Sequence, residues 1–402
     1  MRAAAPDVSS QVGKRGLGWA LACVLAAVGC TNDDIVVSVE GLDPESRTLV
    51  VSAAVDGQAV GTPQEVLRTP ERFVVTLPPD RAGNVTLTAV SRVSPECKLA
   101  EGSVTFPFRP GNTRPLEVKL SMKNLPALHC QLAGGEPRAV WGSSPQDVWV
   151  AGLNTTMLHW DDSGSGWTSV PATLAIYNDI WGAGPNDVYA VSTLGAVERW
   201  NGTSWSRFTV PAAADLYGVF GFSSTDVWFV GDGGAAVRWN GTTATSTSTG
   251  IATRLNSLWG AAPADIWAAG VNGNVVHWNG NTWTKTSPSP SNGLTLSSVT
   301  GTAVGDVWVF GAFGSTNHWD GRMWTAVMNG LPNIVSGNDI WAGGPAEVWA
   351  VASGATVVRW DGTHWANMQV PPGVTGNGLK AWGVGPFVWV ALSGGTLLRY
   401  KR

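Results

Sequence analysis

Seven times in the last two-thirds of the chain a basic side chain stands directly before an aromatic one, at His159, Arg199, Arg238, His277, His318, Arg359 and Arg399. In six of these cases an acid lies twelve residues earlier: Asp147, Asp187, Asp226, Asp265, Asp306 and Glu347. Acid and base at a fixed spacing have two uses. On an exposed surface they form equivalent polar ligand sites. Buried, they form ion pairs, because a charge is tolerated away from water only when it is partnered. A pair demanded by nearly every repeat serves the scaffold, and that is the role expected here.

Catalytic signatures are absent. The chain has no G-x-S-x-G, no H-E-x-x-H, no phosphate-binding loop and no dinucleotide G-x-G-x-x-G. Beyond the three repeat histidines only His129 and His364 remain, too few for a metal cluster, so neither metal nor cofactor is expected. A sialidase-type centre needs a tyrosine nucleophile with acidic partners. Tyr189 and Tyr400 are repeat landmarks, and Tyr177 and Tyr217 have no assignable acid pair. The expectation is a protein that binds rather than catalyses.

The repeated pair belongs to a larger periodicity. Aligning Trp141, Trp181, Phe220, Trp259, Thr300, Trp341 and Trp382 gives intervals of 40, 39, 39, 41, 41 and 41 residues. A second aromatic landmark falls at Trp149, Tyr189, Trp228, Trp267, Trp308, Trp349 and Trp389, and a third at Trp160, Trp200, Trp239, Trp278, Trp319, Trp360 and Tyr400. A fourth falls at Trp167, Trp205, Trp283, Trp324 and Trp365, with Ala244 in the third unit. Every tryptophan but Trp19 occupies one of these positions. Each unit offers four short extended runs broken by Gly, Pro and Asn-Gly or Asp-Gly turns, which is one blade of a β-propeller. The last unit stops after three strands. Residues 125–132, just before the first unit, are the natural donor of the fourth, which predicts seven blades.

The W-G…D-V-W…[HR]-W-[ND]-G-x-x-W rhythm over residues 138–402 resembles bacterial Trp-rich propellers of the Asp-box type and, more weakly, tectonin-type lectin repeats. The resemblance implies the fold and leaves function open between a protein- or glycan-binding scaffold, a lectin with sites between blades, and a propeller hydrolase or lyase. Recognition is expected where units differ, on the inter-unit segments and the short turns that emerge on the same face. That face offers Tyr177, Tyr217, Arg254, Asn272, Asn274 and Phe313.

Residues 33–122 contain no tryptophan and read as short apolar strands separated by turns, suggesting an immunoglobulin-like or transthyretin-like β-sandwich over 35–122. Residues 123–137 then form a linker containing the closing strand. Ahead of them, Lys14-Arg15 precedes an apolar run over 17–28, too short to span a bilayer. The run ends Ala27-Val28-Gly29-Cys30, which resembles the lipobox of bacterial lipoproteins, although Leu is commoner than Ala at the first of these positions. The resemblance implies cleavage after residue 29, acylation of Cys30, a tether over 30–34 and, from Thr31, sorting to the outer membrane. An exported chain sits in an oxidising compartment, where Cys97 and Cys130 are expected to form a disulfide. The net charge of −4 becomes about −6 once Arg2, Lys14, Arg15 and Asp7 are removed, with no basic stripe, which argues against nucleic acid as a partner. A monomer held to a membrane by its lipid is expected.

Overall fold

The computed structural model describes residues 34–402 except 68–71, 79–80, 112–113, 133–134, 155, 162–165, 212–213, 287, 289–292 and 329. Cys30 and the signal segment lie outside the described residues. The described chain is all-β and divides into two compact units. One holds the described residues up to Arg92 with Leu99–Asn124; the other joins Val93–Lys98 to Leu125–Arg402.

In the first unit Asp34–Glu40 pairs antiparallel with Arg72–Thr76 and parallel with Leu116–Ser121. A second sheet runs in the order Gln58–Leu67, Thr48–Val55, Gly83–Ser94, Cys97–Phe108. Thr48–Val55 alternates between half-buried and buried residues, as a strand with one face on a core must. Ile35, Val37, Leu49, Val51, Phe73, Val85 and Leu87 from both sheets share that core. Asp56 and Gly57, with φ of 49° and 80°, make the tight reversal into Gln58–Leu67. That strand is not anticipated by the sequence pattern. It is an edge strand with polar outward residues and an internal Pro63, features that dilute the apolar alternation.

The second unit is a β-propeller. Six four-stranded antiparallel meanders begin with Glu136–Ser144, Asp179–Gly184, Leu216–Ser223, Leu255–Ala262, Leu296–Ala303 and Gly337–Gly344. In a further sheet, the seventh among the described residues, Gly378–Val384, Phe387–Leu392 and Thr396–Lys401 are joined by Lys123–Gln131 from the other end of the array. The two ends pair antiparallel, with Leu397 opposite Cys130 and Arg399 opposite Leu128. First strands pack from sheet to sheet in order, and Gly378–Val384 packs back on Glu136–Ser144.

Cys97 and Cys130 are disulfide-bonded. The turn carrying Cys97 clusters with the propeller rather than with the N-terminal sheets, so the bridge lies within the second unit. There the Glu96 carbonyl accepts from Gln131 N at 3.0 Å and its carboxylate from Trp167 N at 2.6 Å. Closing a 33-residue separation contributes about 3–4 kcal/mol in the chain-entropy picture.

Sheets adhere through the second aromatic landmark. Trp149 meets Trp200 and Trp205 of the next sheet at 5.2 and 5.4 Å, and Trp228, Trp267 and Trp308 repeat this against Trp278 and Trp283, Trp319 and Trp324, and Trp360 and Trp365. Trp389 meets Trp160 and Trp167 in the same way, joining the seventh sheet to the first. Beside Ala244, where the fourth tryptophan is missing, Phe208 instead stacks on Trp239 at 4.7 Å.

The W-G pair that opens most units also has a cause. The rings of four of the five first-landmark tryptophans lie over the glycine of the following sheet: Trp141 over Gly182, Trp181 over Gly221, Trp259 over Gly301, Trp341 over Gly383. A Cβ on Gly221 would fall 2.8 Å from the Trp181 ring and 2.7 Å from the Asp226 carbonyl, whereas one on Gly184 meets nothing within 4 Å. Gly221→Ala is therefore expected to destabilise by about 1–3 kcal/mol, and Gly184→Ala to stay near neutral. Equal melting temperatures for the two variants would contradict the stacking.

Candidate functional site: loop face and central channel

The repeated acid and base sit on the second and third strands of each sheet. His159 Nε2 lies 2.6 Å from Asp147 Oδ1, His277 2.5 Å from Asp265, and His318 2.7 Å from Asp306. Arg199 donates to Asp187 at 2.6 Å and Arg238 to Asp226 at 2.8 Å. The carboxylates of Asp226, Asp265 and Asp306 also accept the indole N–H of Trp228, Trp267 and Trp308 at 3.0–3.2 Å. His159, His277 and His318 stack on the landmark rings at 4.1–4.3 Å. In the sheets of Asp226, Asp265 and Asp306 the acid thus fixes the ring that glues two sheets, and the base covers it. Burial alone would raise Asp306, but donors from His318, Thr302 and Trp308 outweigh it and hold its carboxyl below the ordinary value.

The sixth sheet departs from the expected pairing. Glu347 is taken by the Arg402 guanidinium, whose Nε lies 2.7 Å away, while Arg359 covers Trp349 at 5.8 Å. Arg402 thus takes the place of the in-sheet partner, binding both carboxylate oxygens. In the seventh sheet, which lacks the acid, Phe387 lies 4.1 Å beneath Arg399.

Inter-unit segments and second-to-third-strand turns emerge together, as an antiparallel meander requires. They are tied by backbone bonds such as Asp232 N to Asp215 O, Val271 N to Arg254 O and Phe313 N to Val335 O. The residues expected on this face do not all belong to it. Tyr177 is fully buried: its hydroxyl donates to Glu198 at 2.5 Å and accepts from Leu174 N at 3.0 Å. Burial and the Glu198 carboxylate push its pKa far above the ordinary tyrosine value. Asn274 is buried too, donating to Thr253 Oγ1 at 2.7 Å. Neither is available on the face, because the Tyr177 hydroxyl is taken by a strand carboxylate and the Asn274 amide by a neighbouring loop. Tyr217 and Arg254 stack at 4.7 Å, while Asn272 and Phe313 are exposed.

One turn position has left-handed backbone in every sheet: Asn154, Leu194, Gly233, Asn272, Phe313, Gly354 and Gly394, with φ between 54° and 80°. Gly and Asn adopt this region readily, whereas other L-residues pay about 1–2 kcal/mol. Leu194 and Phe313 nevertheless occupy it, 72% and 64% exposed. Phe313 stands beside Val335, also exposed.

The first strands enclose a channel. A mouth of 370 Å³ is bordered by Glu136, Arg138, Asn178, Tyr217, Asn256 and Asn338, and leads to a cavity of 330 Å³. Asn178, Asn256 and Asn338 clamp the next sheet by donating to the carbonyls of Leu216, Leu296 and Gly378 at 2.6–2.7 Å. One residue further in lies a belt of Asp179, Ser257, Ser298, Asp339 and Lys380, followed by Trp181, Phe220, Trp259, Trp341 and Trp382. Asp179 and Asp339 accept the backbone N–H of Val219 and Ala381 at 3.1 and 2.9 Å. Lys380 Nζ sits 3.0 Å from Asp179 and 3.7 Å from Asp339.

Sequence reasoning missed this triad. A signal existed, because the position two before the first landmark is Ala139, Gly218, Ser257 or Ser298 elsewhere, so three charges there stand out. Burial pushes Asp339 above the usual carboxylate range despite Lys380. For Lys380 burial acts downward, but the two carboxylates outweigh it and hold its pKa above the lysine value.

No family model and no curated relative matches the chain. Solved structures share its fold. YCF48 bound to D1 peptide is 18% identical with a TM-score of 0.58, over 69% of this chain and 96% of that one. YCF48 from Cyanidioschyzon merolae is 14% identical with a TM-score of 0.53, over 68% and 98%. A catalytically inactive virginiamycin B lyase from Staphylococcus aureus with quinupristin is 14% identical with a TM-score of 0.59, over 69% and 99%.

Lys380→Met would leave two buried carboxylates facing each other and is expected to cost about 3–5 kcal/mol at pH 7. Because the folded-state pKa of Lys380 is raised, its stabilisation is fully present below the unfolded value of 10.5 and lost as pH rises through the folded one. In the variant the loss should shrink on acidification, as Asp339 takes up a proton. Urea melts of parent and variant across pH check both signs, and equal stability at pH 7 would contradict the triad.

Proposed function

We propose that the chain is an envelope lipoprotein whose seven-bladed β-propeller holds a protein partner on its loop face, with no catalytic role. One observation carries this reading: Leu194 and Phe313 place large apolar side chains in solvent at turn positions where the backbone favours Gly or Asn. Strain that brings the fold no packing is accounted for by contacts made with something else. The pairing of residues at the two ends of the array, which makes a fourth strand for the seventh sheet, supports the blade count. YCF48 bound to D1 peptide is an instance of a protein of similar fold holding a peptide. The domain over 35–122, as an immunoglobulin-like or transthyretin-like sandwich, spaces the propeller from an outer membrane that the acylated Cys30 engages. Two or more acyl chains give the stable anchoring that one does not.

Two measurements test it. Cys30→Ser should move the protein out of the detergent-soluble membrane fraction, and unchanged partitioning would remove the lipoprotein reading. Leu194→Gly and Phe313→Gly should each stabilise the fold by about 1 kcal/mol through relief of left-handed strain, yet lose proteins that cross-link to the parent in intact envelopes. Thr203→Ala and Thr242→Ala, on the opposite turns, should retain them. If only the opposite-turn variants lose the cross-links, the binding face is reversed.

A further inference from the structure

The channel is charged and walled beyond what holds the sheets together. Position by position, the belt needs only an acceptor for the next sheet's backbone N–H, and Ser257 supplies one to Val299 N at 3.3 Å as an uncharged hydroxyl. Asp179 and Asp339 do the same task with a carboxylate each. A single ammonium, Lys380, stands against the two. The ammonium is 3.0 Å from Asp179, but its 3.7 Å separation from Asp339 exceeds a hydrogen bond. Asp339 Oδ1 is left with the Ser298 hydroxyl at 2.7 Å and the edge of the cavity.

Next along the channel come the rings of Trp181, Phe220, Trp259, Trp341 and Trp382. Trp181, Trp259 and Trp341 use part of their surface to cover the next sheet's glycine and contribute the rest to the cavity wall. The π face of such a ring attracts a cation, most strongly where water is scarce. A cavity of 330 Å³ is about ten times the volume a liquid water molecule occupies, so a short side chain or small organic ion fits within it.

We infer that the central channel is a binding site for a cationic group, a primary ammonium or guanidinium on a short apolar stem, with the cation at Asp339 and Asp179 and the stem against the tryptophan rings. An anion would meet two carboxylates and one ammonium that is already engaged. A neutral ligand would bring no charge to the two carboxylates. Burial raises the pKa of Asp339 despite Lys380, the Ala381 N–H and the Ser298 hydroxyl, and a cation beside it would favour the ionised form. This site stands apart from the loop-face reading and survives its failure. The cation could belong to a free amine or to a lysine or arginine of a partner, and the two sources are separable.

Calorimetry on the mature protein tests it with four probes: phenethylammonium, its neutral isostere 2-phenylethanol, the anion phenylacetate, and the capped tripeptide acetyl-Gly-Arg-Gly-amide. Phenethylammonium or the arginine peptide should bind at least tenfold more tightly than the neutral and anionic probes. Binding by the free amine alone assigns a small-molecule site, and binding by the peptide alone assigns a partner's side chain. Asp339→Asn should weaken the cation at least tenfold. Ser257→Asp, which places a carboxylate at the position where two other repeats carry Asp179 and Asp339, should tighten it several-fold and guards against misfolding of the first variant. Phe313→Gly should leave it unchanged. Equal or tighter binding of phenylacetate or 2-phenylethanol would overturn the inference, as would silence from both cationic probes.

Discussion

Trp149 in the first sheet and Trp389 in the seventh are buried completely, but not by their own sheets. Each ring is covered on one side by a basic residue of its own third strand and on the other by two tryptophans of the adjoining sheet. Removing a neighbour would expose all three rings at once, so no sheet is stable alone. The same requirement explains the low charge content. Sheet faces are apolar on both sides, leaving ionisable groups to the turns, the strand edges and the paired positions that hold the rings. Acid and base recur because the base covers the ring's face and the acid holds the base in place, in three sheets also accepting the indole N–H.

Closing such an array draws the first strands together around an axis, where side chains from adjoining sheets must share space. The structure resolves this with small residues under the rings, amide clamps at the mouth and hydrogen bonds from one sheet's belt residue to the next sheet's backbone. These devices are largely uncharged. Asp179, Asp339 and Lys380 are the exception: the two carboxylates bind the next sheet's backbone and, with the ammonium, also line the cavity.

The loop face obeys a different rule. Its turns need left-handed backbone in every sheet, and the fold is indifferent to the side chain that follows, provided the strain is tolerated. Leu194 and Phe313 are exposed at such turns, whereas Tyr177 and Asn274 are buried and hydrogen-bonded within the fold.

The spacing of the tryptophans determined the fold by itself, because a four-stranded unit of fixed length can bury its rings in only one kind of array. The acid–base pairs were equally legible, since a twelve-residue offset brings second and third strands face to face within one hairpin. What tertiary structure alone decided depends on neighbours distant in sequence. Glu347 chooses Arg402, 55 residues away, over the Arg359 that spacing offered. Lys380 of the last sheet reaches Asp179 of the second, 201 positions away along the chain, a proximity that exists only once the two ends have met. Periodicity records what every sheet must do. Ring closure creates the contacts that only one place in the ring can make.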